Sequence, residues 1–258
     1  MRASKTCIYL SVLLALDSLA ATSTLPQYVL NAVADSSRAA TDVQRDELRK
    51  PVDVLTFSGV KPGDKIVEII PGRGYYTQLL CRVAGTQGHV YSVVINRTIP
   101  MSHPPANDSM GGMAAGDMPS TASACTNISA TTSDAAQLKI AGELDLVWTS
   151  ENYHDLHNKA FGSPDMKKFN QAIFDALKPG GFYLIEDHAA ELGSGVRDTE
   201  TLHRIDIEQV KQEVISAGFV LDASSDVLSN KQDTHTARVF DLSGKSDKFL
   251  LRFRKPKP

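Results

Sequence analysis

The chain predicts an α/β fold with a mostly parallel sheet, and three observations carry that prediction. Asp64 to Leu80 reads DKIVEIIPGRGYYTQLL: a short apolar run holding one acid, a tight turn at Pro71, Gly72 and Gly74, then the first turns of a helix. A buried strand, a glycine turn and a helix in succession open a nucleotide-binding α/β unit. Strand and helix patterns then alternate along the chain. Two late strand patterns, Phe219 to Ala223 and Phe249 to Phe253, close it.

The amino terminus reads as a leader rather than as part of the fold. Arg2 and Lys5 precede an apolar run from Cys7 to Leu16, too short for a permanent membrane span. Ser18-Leu19-Ala20 is a small-x-small site, so residues 1–20 are predicted to be a secretory signal peptide. The expected protein is exported, periplasmic or secreted, and free of the membrane after cleavage. Of the 258 residues, 238 then remain, enough for one domain with a sizeable core. Loss of Arg2, Lys5 and Asp17 takes the net charge from −3 to −4. That mildly acidic balance argues against a nucleic-acid partner. Cys81 and Cys125 are left; they can pair in an oxidising compartment, although Cys81 among Leu79, Leu80 and Val83 reads more readily as a small buried thiol.

Residues 21–60 are expected to form an N-terminal helical cover. Tyr28, Val29, Ala32 and Val33 share a helical face, Asp42 to Lys50 is a charged helical stretch, and Pro51 opens a short helix through Phe57. The α/β domain occupies 61–258. Its second strand is His89 to Ile95. Pro100 to Ser123, rich in Met, Ser, Gly, Ala and Pro, is read as a flexible insertion. Met101, Met110, Met113 and Met118 with His103 hint at copper, but their spacing is irregular and a solvated loop is preferred. Thr126 to Thr132 is an edge strand, with Ser133 and Asp134 capping a short helix. Leu144 to Thr149 is a strand, Asp165 to Leu177 an amphipathic helix, Phe182 to Ile185 a buried strand and Ile207 to Ala217 a helix ended by Gly218.

This pattern resembles the class I S-adenosylmethionine-dependent methyltransferases. The likeness rests on Glu68-Ile69-Ile70-Pro71-Gly72-Arg73-Gly74, Leu144-Asp145-Leu146-Val147, Leu177-Lys178-Pro179-Gly180-Gly181 and Ala217-Gly218-Phe219. A closer likeness is to an exported subgroup of predicted methyltransferases. It rests on Pro71 to Thr77, Asn152-Tyr153-His154-Asp155, Glu186-Asp187-His188-Ala189, Leu202 to Asp206, and the ending from Asp247 to Pro256. The resemblance implies a three-layer αβα sandwich with a Rossmann-like, seven-stranded, mostly parallel sheet. It also implies S-adenosyl-L-methionine as cofactor and an O or N atom of a small molecule as methyl acceptor. Cofactor-binding positions carried over are Glu68, Pro71, Gly72, Gly74, Tyr75, Asn96, Asp134 and Asn152, with Asp134 facing the adenine. Two departures stand out. Ile70 occupies a family glycine position, and Val94 stands where the second strand normally ends in an acid. Asn96 is the nearest polar group, and an amide there forfeits about 1 kcal/mol of charge-assisted hydrogen bonding.

The chemistry is expected at the ends of the fourth and fifth strands. In a methyltransferase His154 is the candidate general base, Asp155 or Asp187 orients it, His188 completes the catalytic cluster, and Asn152 and Tyr153 position the acceptor. A divalent metal is the sharp alternative, drawn from His154, His157, His188, Asp187 and His203. Arg204 and Asp206 are read as an ion pair capping the next helix. The competing functions are a metal-dependent enzyme or a non-catalytic small-ligand-binding protein on the same scaffold.

Overall fold

The computed structural model describes residues 25–99 and 125–258. The leader at 1–20 and the insertion at 100–123 therefore lie outside the described residues. Four short helices come first: α1 (Gln27–Val33), α2 (Ala40–Val43), α3 (Asp46–Arg49) and α4 (Pro51–Ser58). The charged stretch expected as one helix is two, because its side chains have buried partners. Arg38 grips Asp46 through two 2.7 Å hydrogen bonds, Arg49 turns inward, and Lys50 ends α3 in the left-handed region at φ +43°.

Then follow β1 (Lys65–Ile69), α5 (Tyr75–Ala84), β2 (His89–Ile95), β3 (Ile128–Ser133) and β4 (Leu144–Ser150). The chain ends with α6 (Met166–Ala176), β5 (Leu177–His188), α7 (Ile207–Ser216), β6 (Val220–Ser225) and β7 (Lys248–Arg254). The sheet order is β3-β2-β1-β4-β5-β7-β6. Every pairing is parallel except those of β7, which runs antiparallel to both β5 and β6. The expected three-layer αβα sandwich with a seven-stranded sheet is the architecture observed.

Strand alternation builds two cores, one per sheet face. Ile66, Leu146, Trp148, Leu184 and Leu250 pack under α1, α4 and α5 against Val29, Leu55, Leu79 and Leu80. Val67, Ile69, Val147, Tyr183, Ile185 and Leu251 pack under α6 and α7 against Phe169, Ile173, Val210 and Val214. Both covering helices are capped as their sequences direct. Asp165 accepts from Lys167 N and Lys168 N at the start of α6, and Asp206 accepts from Glu208 N at the start of α7.

Four expectations change. The strand expected over Phe182 to Ile185 is longer: Lys178 to Gly181 belongs to an extended β5 that bulges against β4 between Leu144 and Leu146. No helix follows Ser133 and Asp134, where a tight turn pairs Asp134 with Gln137. Arg204 is fully buried and pairs with Asp233 at 2.8 Å, leaving Asp206 to cap α7 without it. Finally, Cys81 and Cys125 form a disulfide across 44 residues. Cys125 enters the structure just ahead of β3 and comes down beside α5, a proximity that sequence separation does not reveal.

A cross-link closing a loop of 44 residues removes conformational entropy from the unfolded chain worth about 4 kcal/mol in the chain-entropy account. Reduction, or the paired change Cys81→Ser and Cys125→Ser, is expected to lower the unfolding free energy by about 2–4 kcal/mol in urea titrations. Equal midpoints for oxidised and reduced protein would show that the bond contributes nothing.

Candidate functional site

The site follows from the order in which the strands are used. β1 lies between β2 and β4, and the helices that follow β1 and β4 cover opposite faces of the sheet. The chain therefore leaves the two strand ends in opposite directions, and a crevice opens between them. Its lining includes Glu68, Ile70, Pro71, Gly72, Tyr75 and Asn152. Gly72 sits at φ +55° and Gly74 at φ +82°, where it starts α5. Both need the left-handed backbone that glycine adopts without steric cost. Ile70 holds φ +54° although its side chain is β-branched. Such a residue costs about 1–3 kcal/mol and persists only where its surroundings enforce it. Ile70 N donates to Val93 O, and Asn152 Nδ2 donates to Ile70 O at 2.9 Å, tying the end of β4 to the turn after β1.

Glu68 faces α5, where Thr77 Oγ1 donates to its carboxyl. Burial raises its pKa and outweighs both the Thr77 hydrogen bond and the Arg49 charge, so the carboxyl is pushed up to about 8. The wall opposite comes from the cover. Arg49 is buried and pairs with Glu151, whose second oxygen meets Lys248 Nζ at 2.5 Å. The carboxyl of Glu186, beside Lys248 at 3.9 Å, accepts from Ser150 Oγ at 2.9 Å. Burial opposes ionisation of Glu151, but Arg49 and Lys248 hold it well below the usual carboxylate range. Burial and the Glu151 charge push Glu186 up. Guanidinium groups of Arg49, Arg45 and Arg38 lie 4.8, 5.2 and 5.8 Å from the Tyr75 ring centre, and Tyr75 Oη donates to Asp46 at 2.7 Å. With these groups in place about 30 Å³ of the crevice is open to the centre of a water molecule, room for about two waters.

A second cluster lies on the other face. Consecutive strand residues point to opposite sides, so Glu186 joins the cover while Asp187 turns toward α6 and α7. Asp187 is fully buried and accepts three hydrogen bonds of 2.7 Å, from His154 N, His188 N and the Nδ1 side of His154. The other nitrogen of His154, Nε2, is 3.4 Å from Asp155 Oδ1 and 3.3 Å from His203 Nδ1. His203 Nδ1 is 3.5 Å from Asp155 Oδ1. Burial disfavours the charged imidazole of His154, but the carboxylates of Asp187 and Asp155 outweigh it and raise the pKa to about 9. His154 is completely enclosed, and the half-buried His203 is the member that solvent reaches. His203 stands at φ +56° and Glu151 at φ +57°, so with Ile70 three non-glycine residues of the two clusters adopt left-handed backbone.

The structure gathers Glu68, Pro71, Gly72, Tyr75 and Asn152 around the crevice, and His154, Asp155 and Asp187 around one imidazole. It does not gather everything expected. Asn96 Nδ2 donates to Asp134 Oδ1 at 2.7 Å, and this pair at the ends of β2 and β3 lies outside the crevice lining. His188 turns away from His154 to Ser246 Oγ at 2.8 Å, and burial drives its pKa well below the ordinary value. His157 meets Glu213 at 3.2 Å. Tyr153, expected to position an acceptor, is buried; its phenol donates to Glu213 at 2.8 Å and accepts from Asn170, pinning α6 and α7 together. Sequence reasoning missed Arg45, Arg49 and Lys248. The first two sit in a charged stretch that reads as a solvated helix face; Arg49 is betrayed only by the buried Glu151 it meets far along the chain, while Arg45 pairs locally with Asp42 and lies over the Tyr75 ring. Among the described residues, His154, Asp155 and His203 form the group whose side-chain atoms are spaced as metal ligands.

No protein-family model matches the chain, and no match is found among curated proteins. Its fold, in contrast, matches many solved structures. A SAM-dependent methyltransferase from Aquifex aeolicus superposes with a TM-score of 0.57 at 18% identity, over 82% of this chain and 93% of that one. An S-adenosylmethionine-dependent methyltransferase from Mesorhizobium loti gives 0.53 at 13%, over 78% and 95%. The [4+2]-cyclase SpnF gives 0.54 at 16%, over 90% and 93%. The fold is that of the class I methyltransferases, and SpnF, named for a different reaction, shares it.

Glu68 makes stability depend on pH. Its folded pKa, about 8, lies above the ordinary carboxylate value of 4.5. The folded state therefore keeps a proton that the unfolded chain releases between those two pH values. The resulting stabilisation is full below about pH 4.5 and disappears as pH rises through 8. Glu68→Gln is expected to lack this slope, so its urea midpoint should gain on the unsubstituted protein between pH 5 and pH 9. A constant difference between the two midpoints would show that Glu68 ionises normally.

Proposed function

We propose that the protein is an exported methyltransferase that uses S-adenosylmethionine to methylate an O or N atom of a small molecule. The observation that carries this reading is the buried carboxyl of Glu68 at the base of a glycine-lined crevice, at the switch point of the sheet. A fold shared with SpnF leaves the reaction to be read from these residues.

The residues fit the cofactor in chemistry. Glu68 and Asn152 offer polar groups at the inner end of the crevice, Gly72 lets backbone approach closely, and Tyr75 supplies an aromatic wall. Asn96 and Asp134, paired at the ends of β2 and β3, provide polar groups farther along the strand ends for hydroxyls and a base. Space is the condition. Arg45 and Arg49 stand where the crevice would widen, so binding requires α2 and α3 to shift and the Arg49–Glu151 pair to rearrange. The cofactor, when bound, supplies an electrophilic methyl group.

The protein's own part is alignment and proton handling. Asn152, bonded to Ile70 O, fixes the rim where β1 and β4 meet. Asp187 fixes the His154 ring from behind, and Asp155 and His203 face its other nitrogen. An acceptor reaches this proton-holding group at the His203 edge, since His154 itself is enclosed. Export is supported by the leader pattern and by the Cys81–Cys125 bond, which an oxidising compartment preserves. The strings shared with the exported subgroup point the same way.

Titration calorimetry of the protein with S-adenosylmethionine and S-adenosylhomocysteine tests this function. Micromolar binding is expected, weakened tenfold or more by Glu68→Ala, which is about 1.4 kcal/mol. Ile70→Gly removes the branched side chain from a left-handed position and is expected to tighten binding. Absence of binding of either compound at millimolar concentration would overturn the proposal.

A further inference from the structure

We infer that His154 Nε2, His203 Nδ1 and Asp155 Oδ1 form a binding site for one zinc-type divalent cation, with Asp187 holding His154 from behind and a coordination position left open. The three atoms are 3.3, 3.4 and 3.5 Å apart, a nearly equilateral triangle. A charge-assisted hydrogen bond draws its atoms to about 2.7–2.9 Å, and neighbouring contacts in the same cluster reach that range. His154 Nδ1 meets Asp187 at 2.7 Å, and Asn158 Nδ2 donates to Asp155 Oδ1 at 2.9 Å. The three inward-facing atoms are thus held apart from one another while their outward partners are tightly bonded.

That separation suits a central ion. Zinc binds imidazole nitrogen and carboxylate oxygen at about 2.0–2.1 Å, and tetrahedral angles then place neighbouring ligand atoms about 3.4 Å apart. Octahedral coordination at similar bond lengths would bring them to about 3.0 Å. The triangle matches the tetrahedral spacing, with three protein ligands and the fourth position free for water or a ligand oxygen. Two imidazoles with one carboxylate select zinc-like ions over magnesium or calcium, which prefer oxygen.

The cluster is also supported from behind. Ligating histidines donate their other ring nitrogen to a carboxylate, which sets tautomer and orientation. Asp187 does this for His154, and its own position is set by two backbone N–H groups, His154 N and His188 N. His203 is fixed in its left-handed backbone and packs edge-on against Phe240, with ring centres 4.6 Å apart. A cation displaces the proton from His154 Nε2 into solvent, and with both histidines then neutral the carboxylates of Asp155 and Asp187 balance a doubly charged ion. Asn158 Oδ1 is buried without a hydrogen-bond partner in the structure and offers an acceptor beside Asp155. The open position belongs to the half-exposed His203 side, so a ligand can enter without unfolding the cluster. The cation site does not rest on the methyl-transfer reading.

Equilibrium dialysis of the purified protein against zinc chloride after chelator treatment, with metal measured by mass spectrometry, tests the site. One equivalent of zinc at micromolar affinity or tighter is expected, with no retention of magnesium at the same concentration. His203→Asn, whose side chain tolerates a positive φ, and Asp155→Asn are each expected to weaken zinc binding 100-fold or more while circular dichroism stays unchanged. Asp187→Asn should weaken it about 10–100-fold. His235→Ala, which removes a histidine paired with Asp247 elsewhere, should leave it unchanged. Retention of less than a tenth of an equivalent at millimolar zinc would overturn the inference. So would zinc binding that survives both His203→Asn and Asp155→Asn at full affinity.

Discussion

The constraint on which this structure turns is that its strand ends carry acids that are almost entirely buried. Glu68, Glu151, Glu186 and Asp187 stand at or just beyond the carboxyl ends of β1, β4 and β5, all buried. A buried charge without a partner is prohibitively costly, and removing one partner from a buried pair costs about 3–5 kcal/mol. The chain meets this in three ways. Glu68 stays protonated. Glu151 recruits Arg49 from the cover and Lys248 from β7. Asp187 takes a histidine and two backbone N–H groups. Each solution joins elements distant in sequence. The N-terminal cover is consequently part of the site rather than a lid laid over a finished domain.

Because strand residues alternate, neighbouring acids on β5 serve different chambers. Glu186 turns to the cover side, where Arg49, Glu151 and Lys248 fill the crevice mouth. Asp187 turns to the α6–α7 side, where it orders the His154 cluster. The same turn carries both parts: Asn152 belongs to the crevice, and His154 and Asp155 to the cluster. A shift of α3 that loosened Arg49 from Glu151 would be felt in the segment that positions His154. Left-handed backbone at Ile70, Glu151 and His203 shows the same pressure, since each turns the chain sharply to deliver its neighbours to one of the two chambers.

Much of this was legible in the chain itself. The glycine turn was readable because only small residues satisfy the backbone at Gly72 and Gly74, and such needs are local. Strand and helix positions were readable because burial on a sheet face imposes a period of two and burial on a helix face a period near 3.6. His154, Asp155 and Asp187 were readable as polar residues at the ends of apolar runs, where they are not needed for packing. Asn96 and Asp134 were placed by family resemblance, and they find each other before they find the crevice.

What the sequence by itself determined is the alternation of strand and helix, the glycine turn after β1 and the polar residues that follow the apolar runs; the αβα layering came from the family resemblance. The alternation and the turn follow from local periodicity and from the geometry of the βα turn, both of which depend on neighbours in the chain. The tertiary structure alone decided the pairings. Arg49 meets an acid 102 residues away, Cys81 meets Cys125 across 44 residues, and His203 returns across 49 residues to face His154. These partners are selected by desolvation, which makes a buried charge or imidazole seek any complement within reach. Reach is a property of the folded chain, not of sequence order.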